Sequence, residues 1–174
     1  MFKHSHRGSS PPHSFVRSVA IIIALLMIGS NSAAAHSDTH FAAGEPGDPT
    51  KAARTVTVIA RDEGKVMLFE PARIEVQQGE QIRFVIWNEG SRDHEFLLDS
   101  FAGNAKHKAV MQKHPEMVHA DPNGATIGVS DKVEVFWRFT KTGTFEYACL
   151  LPGHYEAGMK GVVVVATRKQ RRGK

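Results

Sequence analysis

Short segments in which apolar and polar residues alternate make up much of the chain after Arg54, and they limit the folds it can adopt. The segments "RTVTVIAR", "KVEVFWRF" and "GTFEYAC" all have the period of two that is typical of strands with one buried face. Turn residues such as Gly79 separate the segments, and "GVVVVA" near the C-terminus has the continuous apolar character of a central strand. This pattern predicts an all-β fold, an antiparallel β-sandwich, rather than a series of β-α-β units.

One long segment, residues 99–130, does not fit the strand pattern. Asn104 is a candidate N-cap and Pro115 is a stop signal, so we expect a short helix over residues 105–113. Excursions of this length in compact sandwiches are usually functional or mobile. The predicted fold is therefore a β-sandwich with a short helix in a long inter-strand excursion.

The N-terminal residues have the composition of a secretory signal peptide. Residues 1–35 combine three basic residues with an apolar run, residues 19–29, and end in three alanines. Such a segment would direct export of the protein to the periplasm and would be removed by cleavage after Ala35. An uncleaved membrane anchor is the alternative, but the apolar run is short for a bilayer span. We expect residues 36–53 to form a flexible leader, residues 54–167 a single domain, and residues 168–174 a basic tail.

The charge of the chain is concentrated at its ends. The full sequence has 22 Lys and Arg against 18 Asp and Glu, a formal net charge of +4. Removing residues 1–35 lowers the net charge to +1, and removing the tail as well leaves −4. Because the body of the domain is weakly acidic, the sequence predicts no nucleic-acid partner and no stable membrane insertion after signal cleavage.

The sequence contains one cysteine, Cys149, which cannot form a disulfide within the chain. Exported proteins usually carry cysteines in pairs. A solitary one is a buried apolar residue, an intermolecular bridge, a nucleophile or a metal ligand.

The residues after Cys149 favour the metal-ligand interpretation. His154 and Met159 follow it in a C-x4-H-x4-M pattern, and His94 begins a predicted strand that should lie in the same sandwich. Two imidazoles and a thiolate with a weak thioether ligand form the donor set of copper electron-transfer sites. Structural zinc sites have no use for a thioether, a Cys/His nucleophile would need a positioned third group, and an inert buried cysteine is the remaining alternative. Copper is the preferred interpretation.

The segments "FEPARIEVQQGEQIRFVIWNEG", "DHEFLL" and "CLLPGHYEAGMKGVVVV" resemble the cupredoxin family of type 1 blue copper proteins. More narrowly, they are similar to bacterial periplasmic cupredoxins of the CopI type, which are associated with copper tolerance. The resemblance covers residues 54–166 and implies a Greek-key β-sandwich. It also implies that His94, Cys149 and His154 are equatorial copper ligands and that Met159 is the weak axial ligand.

One position departs from the family pattern. Many cupredoxins have a small polar residue after the first histidine, where it helps to hold the cysteine sulfur, and here that residue is Glu95. The departure predicts a perturbed copper site whose spectrum is greener than that of a simple blue site.

The resemblance implies one type 1 copper per chain, cycling between Cu(I) and Cu(II) by one-electron transfer. We expect a role in copper tolerance or homeostasis; the alternative is a general electron carrier between periplasmic redox partners. The partner is accordingly a redox protein or a copper-handling protein of the periplasm. No enzymatic activity is predicted, with weak cuprous oxidase activity left as an open alternative.

The excursion carries further histidine and methionine residues with donor atoms suited to Cu(I). In a helix, His107, Met111 and His114 would share one face. Met117 and His119 would share a side of an extended segment. The hypothesis is a second, weaker copper site; the alternative is that the two methionines pack against the sandwich while the histidines are solvated. The candidate residues are His107, Met111, His114, Met117 and His119.

Overall fold

The computed structural model describes residues 41–115 and 121–168. The predicted signal peptide, the first residues of the leader, Met117, His119 and most of the basic tail lie outside this description. Within the described ranges, no helix is long and apolar enough to cross a membrane.

Within the described residues, ten strands form two five-stranded sheets, and one helix lies between the sixth and seventh strands. The first sheet has the order β1-β8-β5-β2-β3 and the second the order β4-β10-β9-β6-β7. In chain order the elements are β1 (Glu45–Pro46), β2 (Arg54–Glu63), β3 (Val66–Glu70), β4 (Arg73–Gln77), β5 (Gln81–Asn88), β6 (His94–Asp99), α1 (Phe101–Met111), β7 (Gly124–Ile127), β8 (Lys132–Arg138), β9 (Gly143–Ala148) and β10 (Lys160–Ala166).

The β-sandwich expectation is confirmed, but the pairing is not antiparallel throughout. Strand β2 pairs with β5 in parallel, and β10 pairs with β4 in parallel. The two strands of each parallel pair are not consecutive in the chain, so neither pair is joined by a hairpin. The period of two reports which face of a strand is buried and carries no information on its direction. As expected from "GVVVVA", β10 is central, between β4 and β9.

Aromatic side chains from the two sheets meet in the core, around strands β6 and β9. The Phe96 ring, on β6, stacks on Tyr147 of β9 with centroids 5.4 Å apart. Phe84 and Phe69 of the first sheet approach Phe96 at 5.4 and 6.0 Å. Each such pair adds about 0.5–1.5 kcal/mol beyond the burial of its area. This packing fixes β6 and β9 side by side.

The helix begins four residues earlier than expected. Ser100, not Asn104, is the N-cap, and its side chain accepts a hydrogen bond from the backbone N–H of Gly103. Asn104 is inside the helix, 1% exposed, and its amide donates to the carboxylate of Glu146 on β9 at 3.1 Å. Because α1 covers the outer face of β9, the last four residues of that strand are buried on both faces.

Candidate metal centre

Two neighbouring strands bring His94 and Cys149 to the same end of the sandwich. His94 is the first residue of β6, and Cys149 follows directly after the last residue of β9. These strands pair antiparallel with Leu97 opposite Ala148. The start of β6 and the end of β9 therefore lie at one edge of the second sheet.

The loop from Cys149 to Met159 is folded on itself by backbone hydrogen bonds. The Cys149 N–H donates to the Met159 carbonyl at 3.0 Å, and the Met159 N–H donates to the His154 carbonyl at 3.1 Å. Gly153, before the histidine, has a φ of 85°, which glycine adopts without strain. These contacts bring His154 back over Cys149, which explains why four residues separate the two.

Three donor atoms converge at this end of the molecule. Nδ1 of His94 is 3.2 Å from Nδ1 of His154, and that nitrogen is 3.3 Å from Sγ of Cys149. Within the described ranges, these three residues form a group that could hold a metal ion, with all ligand atoms inside 4.8 Å of one another. A thiol and two imidazole nitrogens facing a common point fit the donor preference of copper.

Burial keeps all three groups in their uncharged forms. Removal from water raises the pKa of the Cys149 thiol to about 12 and lowers the pKa of His94 to about 4. Burial also lowers the pKa of His154 below its ordinary value. At neutral pH the metal-free site therefore has two neutral imidazoles and one protonated thiol.

Glu95 retains the backbone contact that the family pattern calls for. Its N–H donates to Sγ of Cys149 at 3.3 Å, and its side-chain Oε2 accepts from the N–H of Leu150 at 3.2 Å. The residue is 1% exposed. A buried carboxylate thus lies beside the sulfur, where it raises the pKa of Cys149, although burial is the larger cause.

Met159 joins the site through its backbone and its burial. The residue is fully buried and belongs to the core cluster that also contains Cys149. Its assignment as an axial ligand stays a prediction.

The residues of the predicted second copper site have different environments. Met111 is fully buried and packs in a small cluster with Leu97, Ala148 and Leu150. His107 is half-buried and His114 is exposed. The position of Met111 agrees with the packing alternative. The second site stays a prediction, because two of its five residues lie outside the described ranges.

A polar network that the sequence did not reveal ties the helix to the ligand loop. The buried carboxylate of Glu146 accepts from Asn104 and, at 3.0 Å, from the hydroxyl of Tyr155, the residue after His154. Lys108 on the helix forms an ion pair with Glu156 at 2.8 Å. The only signal for this network was a glutamate at an outward position of a strand, which is unremarkable without knowledge of the helix above it.

Comparisons with known proteins agree with this geometry. Residues 55–166 match the family described as copper binding proteins, plastocyanin/azurin family. A relative named copper-resistant cuproprotein CopI, from Rubrivivax gelatinosus, is 47% identical over 79% of this chain and 82% of its own length. A protein of the same name from Pseudomonas aeruginosa is 33% identical over 84% of this chain and 94% of its own length.

The solved structures show the same fold at lower identity. Auracyanin B superposes with a TM-score of 0.59 and 23% identity, covering 72% of this chain and 98% of that protein. The reduced auracyanin of Roseiflexus castenholzii gives 0.56 and 21%, over 67% and 99% of the two chains. With its matched residues spanning the strands and the converging His, Cys and His donors, the chain belongs to the copper-binding plastocyanin/azurin family.

Proposed function

We propose that this chain is a periplasmic copper protein that serves copper tolerance. His94, Cys149 and His154 would hold one type 1 copper, with Met159 as the weak axial ligand. The observation that carries the proposal is the convergence of the two Nδ1 atoms and the sulfur at 3.2 and 3.3 Å. The role in tolerance is supported by the name that the relatives share, copper-resistant cuproprotein.

The protein contributes donor atoms that are already close together and largely shielded from water. Copper bound there would exchange one electron between Cu(I) and Cu(II). His94 and Cys149 are fully buried, whereas His154 is half-buried and is the ligand nearest to solvent. Backbone hydrogen bonds hold the sulfur and the loop, so little rearrangement is needed when the charge changes. The partner that supplies or receives the electron, or the copper, would approach from the side of His154.

Growth on copper tests the tolerance role. We expect a deletion strain to grow normally in low copper and to fail at copper concentrations that the wild-type strain tolerates. Complementation with the wild-type gene should restore growth, whereas the Cys149→Ser gene should not. Equal growth of the deletion and wild-type strains across the copper series would reject the tolerance role and leave the general electron carrier as the better interpretation.

Copper uptake is expected to release one proton per metal ion between pH 7 and 8. The pKa of Cys149, raised to about 12, keeps the thiol protonated until the metal displaces its proton, while the neutral histidines have none to release. The apparent affinity should therefore rise about tenfold for each pH unit in this window. Calorimetric titration in buffers of different ionisation enthalpy measures the proton count. A count near zero would contradict uptake by a protonated thiol, and the visible sulfur-to-copper absorption would then tell whether the thiol binds the metal at all.

The copper form is expected to have a greener spectrum than a simple blue site because of Glu95. Its carboxylate holds the Leu150 N–H and places a negative charge near the sulfur. Glu95→Asn should lower the higher-energy charge-transfer band relative to the lower-energy band, and Glu95→Gln should have a smaller effect because its amide oxygen can still accept from Leu150. A wild-type spectrum with only the lower-energy blue band would contradict this expectation.

A further inference from the structure

A second carboxylate, that of Asp62, lies beside the metal centre without being a member of its donor set. Asp62 is near the end of β2, and its side chain is only 3% exposed. Its two oxygens accept hydrogen bonds from the N–H and the hydroxyl of Ser91, at 2.6 and 2.8 Å. Arg92 is 3.9 Å away, but its side chain is 53% exposed. The Asp62 carboxylate is thus fixed in place by the loop that precedes His94.

The edge of the His94 ring that carries Nε2 lies close to Asp62. Nε2 of His94 is buried and has no hydrogen-bond partner within the described part of the chain. A Cβ at Gly90 would collide with Oδ1 of Asp62 and would lie 2.8 Å from this Nε2. The carboxylate and the ring edge therefore border the same small space. Gly90 does not have a positive φ, so its backbone would permit alanine and the restriction is one of room.

We propose that Asp62 is a positioning residue for His94, an inference that rests on the proposed copper function. Its carboxylate favours the His94 tautomer with the proton on Nε2, across the space beside Gly90, so that Nδ1 is the lone pair offered to the metal. Histidine ligands in metal sites usually donate their second ring N–H to such an acceptor, which fixes the tautomer and the ring orientation. Here the carboxylate faces Nε2 across the space beside Gly90 without a direct hydrogen bond, and it comes from a strand of the opposite sheet.

The charge of Asp62 has a second consequence. A fixed negative charge behind a ligand, on a side chain that is 3% exposed, stabilises the oxidised metal more than the reduced metal, since Cu(II) carries the larger positive charge. Asp62 therefore lowers the reduction potential of the bound copper. Asp93, adjacent to His94 in the sequence but exposed to solvent, should have a much smaller effect because water and salt screen it.

Asp62→Asn and Asp93→Asn form a matched pair, because each removes one negative charge close to His94. We expect Asp62→Asn to raise the Cu(I)/Cu(II) ratio at a fixed ambient potential at least about tenfold, which is about 59 mV for one electron. Asp93→Asn should change the ratio less than about threefold, in line with its screening. Equal shifts in the two variants would overturn the inference, because the effect would then follow net charge alone.

The histidine tautomer gives a readout that needs no copper. In metal-free protein labelled with ¹⁵N-histidine, we expect His94 to be protonated at Nε2 in the wild type and to lose this preference in Asp62→Ala. Gly90→Ala, which fills the space between the two groups, should have the same effect if Asp62→Ala does not fold. An unchanged tautomer in the folded variants would overturn the proposal. Failure of the wild type to bind copper would instead reject the proposed function, and the tautomer would still decide the role of Asp62.

Discussion

Cys149→Ser is expected to abolish the intense visible absorption of the copper form and to weaken copper binding by more than about a hundredfold. Loss of a residue that merely orients a ligand typically costs 10–100-fold in metal affinity, so loss of the thiolate itself should cost more. A serine hydroxyl stays protonated near neutral pH and is a harder donor that copper binds less well. The absorption disappears because no sulfur remains to transfer charge to the metal.

Folding should survive this substitution. Cys149 is fully buried, serine is similar in size, and the Glu95 N–H that now donates to the sulfur could donate to the hydroxyl. Met67→Leu is the control, since Met67 is a buried sulfur residue whose N–H bonds to Ala157 of the ligand loop at 3.1 Å but which is not in the donor cluster. It should keep the spectrum. A visible band that persists in Cys149→Ser and is lost in Met67→Leu would place the sulfur ligand elsewhere.

The convergence of His94, Cys149 and His154 could be predicted from the sequence because two of the three lie in one loop. Cys149 and His154 are five residues apart, and the chemistry of a lone thiol in a chain with a predicted signal peptide restricted the alternatives. His94 needed only the expectation that neighbouring strands bring their ends together. Asp62, by contrast, is 32 residues before His94 on a strand of the other sheet, and no local pattern marks it. A short sequence segment does not reveal contacts that depend on the packing of two sheets.

The fold was predictable in its class and less so in its details. Alternation identified the strands, but two parallel pairs were missed because alternation does not encode direction. The start of the helix was misplaced because Ser100 and Asn104 are both good capping residues. In the structure Ser100 is the N-cap. The Asn104 amide lies inside the helix and donates to the Glu146 carboxylate on the outer face of β9, a contact that the sequence does not reveal.

The helix and the ligand loop share one apolar layer, so the helix contributes to the stability of the metal centre. Met111 is fully buried with Leu97, Ala148 and Leu150, and the partly buried Leu151 and Tyr155 of the loop pack against the same cluster. The Tyr155 hydroxyl and the Lys108–Glu156 ion pair add polar contacts across the same boundary. Loosening this layer should therefore affect both the fold and the loop that holds His154.

Met111→Ala is expected to lower the free energy of unfolding by about 2–5 kcal/mol, the usual cost of truncating a fully buried methionine. This is a large part of the about 5–15 kcal/mol that stabilises a domain of this size. Urea denaturation of the metal-free protein measures the loss. Met111→Leu is the matched control, since it nearly conserves volume and should cost less than about 1.5 kcal/mol.

The leucine variant also separates the two interpretations of this methionine. It removes the thioether but keeps the apolar packing, so the number of Cu(I) ions bound per chain should not change if Met111 only packs. The burial of Met111 in one cluster with Leu150 and Ala148 leads us to expect this result. A lower Cu(I) count in Met111→Leu, with stability preserved, would instead assign the sulfur to a second copper site. Because alanine would weaken both packing and binding, only the leucine variant can make the distinction.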